Sequence, residues 1–81
     1  MLLYFEFEDK RRKADVEWPR NKGNIVVHIN DREIAAHLPT DLYYEVEDGN
    51  KVVFTIEDSS NKRLSALQSV LGKRLQELVN K

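Results

Sequence analysis

The chain contains no cysteine, only three glycines and two prolines, and almost no net charge. Without thiols it cannot form a disulfide, bind a metal through sulfur or attack a substrate with a cysteine. The few glycines fall in predicted turns, links or a helix, so no glycine-rich loop is available to cradle a phosphate. A net charge of −1 over 81 residues argues against a strong attraction of the whole protein to nucleic acid or anionic membranes.

Long apolar runs are missing as well. No stretch approaches the ~20 apolar residues that a membrane-spanning helix needs. The segment from Met1 to Glu8 has no basic leader and is interrupted by acids, which is not typical of a signal peptide. We therefore predict a soluble cytoplasmic protein without a membrane partner. Its length predicts a single domain over residues 1–81. Met1 suggests the natural start and Lys81 the natural end, with an excised domain of a longer protein as the alternative.

An alternation of apolar and polar residues near the N-terminus predicts a first β-hairpin. Pairing Phe7 with Ala14 brings the apolar residues of the two strands opposite one another and leaves residues 9–12 as the tip. The same register turns Trp18 inward, as an anchor at the end of the sheet. A slip of one residue would turn each apolar set to the wrong face, so this register is predicted to be well specified.

Two more alternating pairs of segments follow. The second hairpin is predicted to pair Ile29 with Ile34, and the third to pair Val46 with Val52. The tip of the third, residues 48–50, contains Asp-Gly-Asn, whose members tolerate positive φ. Because the links between hairpins are short, the simplest arrangement is a six-stranded antiparallel meander in sequence order over about residues 2–57.

The periodicity then changes from two residues to that of a helix. Cap-forming residues precede a stripe of leucines at helical spacing, which predicts an amphipathic helix over about residues 60–80. The stripe consists of Leu64, Leu67, Leu71, Leu75 and Leu78. The predicted fold class is thus α+β, with the helix packed on one face of a sheet that either stays open or curls into a partly closed barrel.

Acidic residues dominate the outward positions of the predicted strands, whereas basic residues fall in turns, at strand starts and on the helix. This pattern predicts a docking face for a basic protein partner, with tyrosines as anchors. The candidate interaction residues are Tyr4, Glu6, Glu17, Tyr43, Glu45 and Glu47. The alternative is a solvated face whose charges discourage aggregation between sheets.

A basic run offers a second function, which is binding of RNA or DNA phosphates. Placed at a hairpin tip, it would reach along a nucleic-acid backbone together with the helix. The candidate residues are Lys10, Arg11, Arg12, Lys13, Arg20 and Lys22. The run is short and its neighbouring strands are acidic, so a solvated loop is the simpler interpretation.

Catalysis and metal binding find little support in the sequence. The only histidines, His28 and His37, are predicted to face outward as diagonal neighbours, but two imidazoles without a third fixed ligand do not make a zinc motif. No nucleophile elbow or phosphate loop is present. We therefore predict no enzyme activity, no metal and no cofactor.

The sequence thus favours a small non-catalytic interaction module with an unidentified protein partner. Adaptor, inhibitor and immunity-type roles all fit this description. A homodimer is a separate prediction, because the first and last strands of an open meander have free edges and the first is rich in apolar residues.

Overall fold

A computed structural model of the protein describes residues 1–19, 24–47, 51–56 and 59–80. Five antiparallel strands form one sheet in sequence order, curled into a half-barrel. The strands are β1 (Leu2–Phe7), β2 (Lys10–Glu17), β3 (Asn24–Ile29), β4 (Asp41–Glu47) and β5 (Lys51–Val53). The helices are α1 (Arg32–His37) and α2 (Lys62–Val79). The α+β class, the antiparallel sheet and the C-terminal helix are confirmed, but the prediction of six strands is wrong.

The missing strand is the second half of the predicted second hairpin. Residues 32–37 form α1 instead, and β3 then pairs directly with β4. Asp31 caps the helix, because its carboxylate accepts a hydrogen bond from the Ile34 amide at 3.1 Å. Ile34 and Leu38 lie four residues apart and both are buried, so their spacing satisfies one turn of helix as well as a strand. His37 therefore ends a helix and is not a strand neighbour of His28.

The first hairpin turns earlier than predicted. Phe7 pairs with Lys10 rather than with Ala14, so that Glu8 and Asp9 alone make the turn. Both turn residues have positive φ, 54° and 61°, as in the type I′ turns whose twist suits two-residue hairpins. The predicted four-residue tip therefore belongs largely to β2.

This shift in register changes which residues enter the interior. Arg12 points to the inner face of the sheet and is only 4% exposed. Trp18, predicted to be a core anchor, lies beyond the end of β2 and is 38% exposed. A charged side chain therefore occupies the interior where the sequence pattern alone indicated a turn.

The third hairpin has the predicted register. Val46 pairs with Val52, whereas the predicted tip, residues 48–50, lies outside the described residues. Tyr44 and Phe54, which are predicted to face each other, make an edge-to-face contact with ring centroids 5.1 Å apart. The Tyr44 hydroxyl donates a hydrogen bond to the Gln68 carbonyl at 2.8 Å. Burial raises the pKa of this phenol, so Tyr44 stays neutral.

The leucine stripe of α2 packs into the concave side of the sheet. Asn61 caps the helix through a hydrogen bond from the Leu64 amide to Asn61 Oδ1 at 3.1 Å. A Cβ at Gly72 would lie 2.6 Å from Phe54 Cε1, so the glycine allows a close approach of helix and sheet. The buried apolar core consists of Leu3, Phe5, Phe7, Ala14, Val16, Ile25, Val27, Ile29, Ile34, Leu38, Leu42, Tyr44, Leu64, Leu67, Leu71 and Leu75.

Helix α2 also reaches both edges of the sheet. Beside β5, Gln76 Oε1 accepts a hydrogen bond from the Val52 amide at 2.8 Å. Beside β1, Arg74 Nε donates to the Tyr4 carbonyl at 3.2 Å. Polar side chains of one helix thus satisfy backbone groups on the first and the last strand, which would otherwise be open to pairing. In the described part of the chain, neither helix is long and apolar enough to cross a membrane.

Candidate functional site

The outer face of the sheet, turned away from α2, carries most of the polar side chains of the five strands. Across its centre, Asp15 on β2 lies opposite His28 on β3, which lies opposite Asp41 on β4. In the next row, Glu17 lies opposite Val26, and Val26 opposite Tyr43. The two rows bring acids from β2 and β4 to either side of β3.

His28 lies between these acids. Its Nδ1 is 2.7 Å from Asp41 Oδ1, and its Nε2 is 3.8 Å from Glu17 Oε2. The hydrogen bond to Asp41, together with the charges of both carboxylates, raises the pKa of His28 above its usual value of 6.5. The imidazole therefore gains a proton more readily than a free histidine does, and its protonation partly neutralises the surrounding acids.

We name the acids of this region the acidic patch. Its members are Asp15, Glu17, Asp41, Glu45 and Glu47. The described outward positions of β2 from Asp15 onwards, of β3 and of β4 contain no lysine or arginine. Tyr43 lies within the patch with 53% of its surface exposed, and half-buried Val26 lies beside it. The patch therefore combines clustered carboxylates with a small apolar centre, and Lys51 of β5 borders it opposite Glu47.

Two of the predicted interaction residues lie elsewhere. Tyr4 is opposite Lys13, and Glu6 is opposite Arg11, at the far corner of the outer face. The guanidinium carbon of Arg11 lies over the Tyr4 ring, 4.5 Å from its centroid, which is cation–π geometry. This corner is mixed in charge and does not extend the acidic patch.

A second charged group lies at the turn end of the first hairpin, around buried Arg12. Its Nη1 donates to both carboxylate oxygens of Asp31, at 3.0 and 3.2 Å, and its Nε donates to the Phe7 carbonyl at 3.3 Å. Glu33 and Glu8 lie farther from the guanidinium, at 3.6 and 3.9 Å. Arg12 thereby joins the first hairpin to α1.

Exposed Lys10 and half-buried Arg63 complete this group. Lys10 Nζ is 2.6 Å from Glu33 Oε1, and Arg63 of α2 makes two hydrogen bonds to the Glu8 carboxylate, at 2.7 and 2.9 Å. The hydrogen bond from Lys10 lowers the pKa of Glu33, and that from Arg63 lowers the pKa of Glu8. The same pairing raises the pKa of Arg63. We call this group the Arg12 cluster: Lys10, Arg12, Asp31, Glu33, Glu8 and Arg63.

Asp31 has two roles in the Arg12 cluster. Burial works to raise the pKa of its carboxyl, but the hydrogen bond from the Ile34 amide and the Arg12 guanidinium outweigh burial and lower it. The same carboxylate therefore caps α1 and neutralises a buried cation. Sequence reasoning missed this pair. Its one local signal is Asp31 followed by residues that form helices well, which is typical of a helix start.

The basic run predicted to bind nucleic acid is therefore divided. Lys10 and Arg12 point into the Arg12 cluster, whereas Arg11 and Lys13 point to the outer face beside Tyr4. The two remaining candidates, Arg20 and Lys22, lie outside the described residues. The structure does not bring Lys10, Arg11, Arg12 and Lys13 together as one phosphate-binding surface.

A groove of about 550 Å³ runs along β1, between this strand and α2. We call it the β1-edge groove. It is lined by Tyr4, Phe5, Glu6, Arg11, Val70, Lys73, Arg74 and Glu77. Its walls thus combine exposed cations from the sheet and the helix with an apolar floor.

Within the described ranges, no group of three or more histidines, aspartates or glutamates is arranged to hold a metal ion. Comparison of this chain with models of known protein families, with curated proteins and with solved structures found no match. Function is therefore inferred from the acidic patch, the Arg12 cluster and the β1-edge groove.

Proposed function

We propose that this protein is a non-catalytic interaction module whose acidic patch docks a lysine- or arginine-rich segment of a partner protein. The observation that carries this proposal is the convergence of acids from β2 and β4 around Tyr43, with no lysine or arginine among the described outward residues between them. Neighbouring strands lie about 4.8 Å apart, so acids on β2 and β4 are separated by about 10 Å. Two basic side chains of one extended segment can therefore reach the acids of β2 and the acids of β4 at the same time.

Charge and apolar contact contribute differently to binding at the acidic patch. Exposed carboxylates steer a basic partner and reject an acidic one, but contribute modestly to final affinity because water screens them. Tyr43 and Val26 supply the apolar centre, and tyrosine is enriched among the residues that dominate binding energy. We therefore assign orientation and specificity to the acids, and most of the affinity to the contact around Tyr43.

A comparative pull-down tests the proposal. The bait is the wild-type protein, the variant Glu45→Lys or the variant Glu77→Lys, each in native lysate with and without nuclease. Both substitutions change the net charge equally, but Glu77 lies on α2 and does not belong to the acidic patch. We expect a nuclease-resistant partner that Glu45→Lys loses and Glu77→Lys retains. Equal recovery by all three proteins would contradict the proposal.

The isolated partner then allows a direct measurement. Tyr43→Ala should weaken binding by about tenfold or more, while leaving the urea unfolding midpoint unchanged, because the ring is exposed. Glu45→Lys together with Glu47→Lys should slow association most strongly at low salt. Salt-independent association with these variants would remove the electrostatic part of the proposal.

Nucleic-acid binding through residues 10–13 and α2 is the alternative hypothesis. The pairing of Lys10 with Glu33 and of Arg12 with Asp31 argues against it, because cations with fixed carboxylate partners bind phosphate at a cost. The nuclease arm of the pull-down separates the two hypotheses. Recovery that collapses with nuclease would favour the alternative.

A further inference from the structure

We propose that the β1-edge groove binds an extended acidic segment of another protein by adding it to the sheet as a further strand. This site is distinct from the acidic patch, and the inference does not depend on the function proposed for that patch. It follows from the backbone of β1, from the way Arg74 covers it, and from the charges that line the groove.

The backbone of β1 has a free edge. In an antiparallel pair, the residues that close a two-residue turn bond to each other, so Phe7 directs its amide and carbonyl toward Lys10 of β2. Directions alternate along a strand, and the polar backbone groups of Glu6 and Tyr4 therefore point away from β2. The hydrogen bond from Arg74 Nε to the Tyr4 carbonyl agrees with this direction. Such a row of backbone groups is what an added strand requires.

The cover over this edge is a single half-buried side chain, which makes an exposed hydrogen bond. Arg74 contacts the Tyr4 carbonyl at 3.2 Å and is held from the other side by Glu77, at 2.6 Å. An incoming backbone N–H can replace the guanidinium on the Tyr4 carbonyl, and the released guanidinium can then pair with a carboxylate of the ligand. At the other edge, the amide of Val52 is covered by Gln76 through a shorter, partly buried bond of 2.8 Å. The edge at β1 is therefore the easier one to open.

The charges of the groove favour an acidic ligand. Arg11 lines it from β2, and Lys73 and Arg74 line it from α2, against the two acids Glu6 and Glu77. No carboxylate among the described residues lies within ion-pair distance of Arg11 or Lys73. These two cations are available to a ligand, whereas Arg74 becomes available when the cover opens. A segment that alternates acidic and apolar side chains fits both the cations and the apolar floor.

A second copy of this chain fits the groove less well. A two-fold axis at Tyr4 would align two β1 strands antiparallel and would bring Arg74 and Lys73 of one copy against the same residues of the other. Like charges at such short separations are unfavourable. The homodimer through a sheet edge, predicted from the sequence, therefore becomes one outcome of the test that would overturn this inference.

The experiment uses fluorescent peptides and the full-length protein. The probe is a short peptide of alternating valine and glutamate, and binding is followed by anisotropy and by amide NMR. We expect saturable binding, with shifts and slowed amide exchange at Tyr4 and Glu6. N-methylation of two peptide amides that face β1 should weaken binding about 30-fold, because two backbone hydrogen bonds are lost while the charges stay.

Matched variants locate the site. Lys73→Glu should weaken binding of the peptide at least about fivefold, since an attraction between the lysine and the peptide becomes a repulsion. Lys62→Glu on the same helix should leave binding of the peptide unchanged. Glu45→Lys should leave probe binding unchanged, so that failure of the acidic patch and failure of this groove are distinguishable. The inference is overturned if the N-methylated peptide binds equally well or if an oligouridine RNA competes more strongly than the peptide. It is also overturned if sedimentation shows a dimer of this chain that the peptide does not bind.

Discussion

The Arg12 cluster and the acidic patch are both built from charged side chains on several elements, yet they differ in burial. The Arg12 guanidinium is buried and bonded to Asp31, whereas the acids of the patch stand in solvent around His28. A buried cation must be matched by its own protein. An exposed carboxylate needs no internal partner and stays available to another molecule. Burial, rather than charge density, therefore separates a group that holds this fold from one that we propose docks a partner.

The two groups also connect different parts of the chain. The Arg12 cluster ties the first hairpin to α1 and α2, elements that share no continuous strand ladder. The acidic patch lies on β2 and β4, which the sheet already holds in place. Substitutions in the first group should thus reduce stability, and substitutions in the second should change binding with little loss of stability. The following predictions test this division.

The largest expected effect comes from replacing Arg12. Arg12→Ala removes a buried cation and leaves Asp31 without its partner, which should lower the free energy of unfolding by about 3 kcal/mol. Arg11→Ala is the matched control, because Arg11 is the adjacent residue and points to the outer face. Its loss should lower that free energy by less than about 1 kcal/mol, through the contact with Tyr4. Urea denaturation at neutral pH measures both values, and equal losses would contradict the division.

The next effect separates the two roles of Asp31. Asp31→Ser keeps an oxygen that can cap α1 but removes the charge that pairs with Arg12, whereas Asp31→Ala removes both. Serine and aspartate cap helices comparably well, so the alanine variant should be less stable than the serine variant by about 1 kcal/mol. Both should be less stable than the wild type. Indistinguishable urea midpoints for Ser and Ala would show that the cap contributes nothing measurable.

The Arg12 cluster also shows where sequence reasoning reached its limit. Alternation of apolar residues assigns each side chain to a face, but it fixes the register of a hairpin only to within an even number of residues. Moving the partner of Phe7 from Ala14 to Lys10 is a shift of four residues, which preserves every assigned face. The decisive feature is a turn of Glu8 and Asp9 at positive φ, and glutamate gives no signal for such a turn.

The same limit explains why the sequence pattern predicts a strand where α1 forms. Ile34 and Leu38 fit one face of a strand and one turn of a helix equally well, and a helix this short is not stable alone. Its cap carboxylate also binds Arg12, a contact between residues far apart in the chain. The third hairpin and α2 could be predicted because their signals are local: a short turn in one and a long leucine stripe in the other. The predicted acidic residues that do belong to the acidic patch, Glu17, Glu45 and Glu47, are on strands with correctly assigned faces.

At acidic pH, the dependence of stability on pH should differ between the Arg12 cluster and the acidic patch. The pKa values of Glu8, Asp31 and Glu33 are lowered from usual values of 4.5, 3.8 and 4.5. A carboxyl with a lowered pKa stabilises the fold above its unfolded value and loses that contribution as pH falls through the folded value. The urea midpoint should therefore drop between about pH 5 and pH 2. Arg12→Ala should reduce this drop only in part, because Lys10 still pairs with Glu33 and Arg63 with Glu8, whereas Glu45→Gln should leave it unchanged.

The smallest expected effect on stability comes from His28, and its dependence on pH has the opposite sign to that of the three carboxyls. Its pKa is raised above the usual 6.5, so its contribution to stability is complete below that pH and is lost as pH rises through the raised value. His28→Gln should remove this slight loss of stability above neutrality.

Binding to a basic partner should change the other way, because deprotonation of His28 restores negative charge beside Asp41 and Glu17. Affinity measured for the partner should therefore increase from pH 6 to pH 8 in the wild type and stay constant in His28→Gln. A pH-independent affinity in the wild type would show that the partner does not contact this part of the acidic patch.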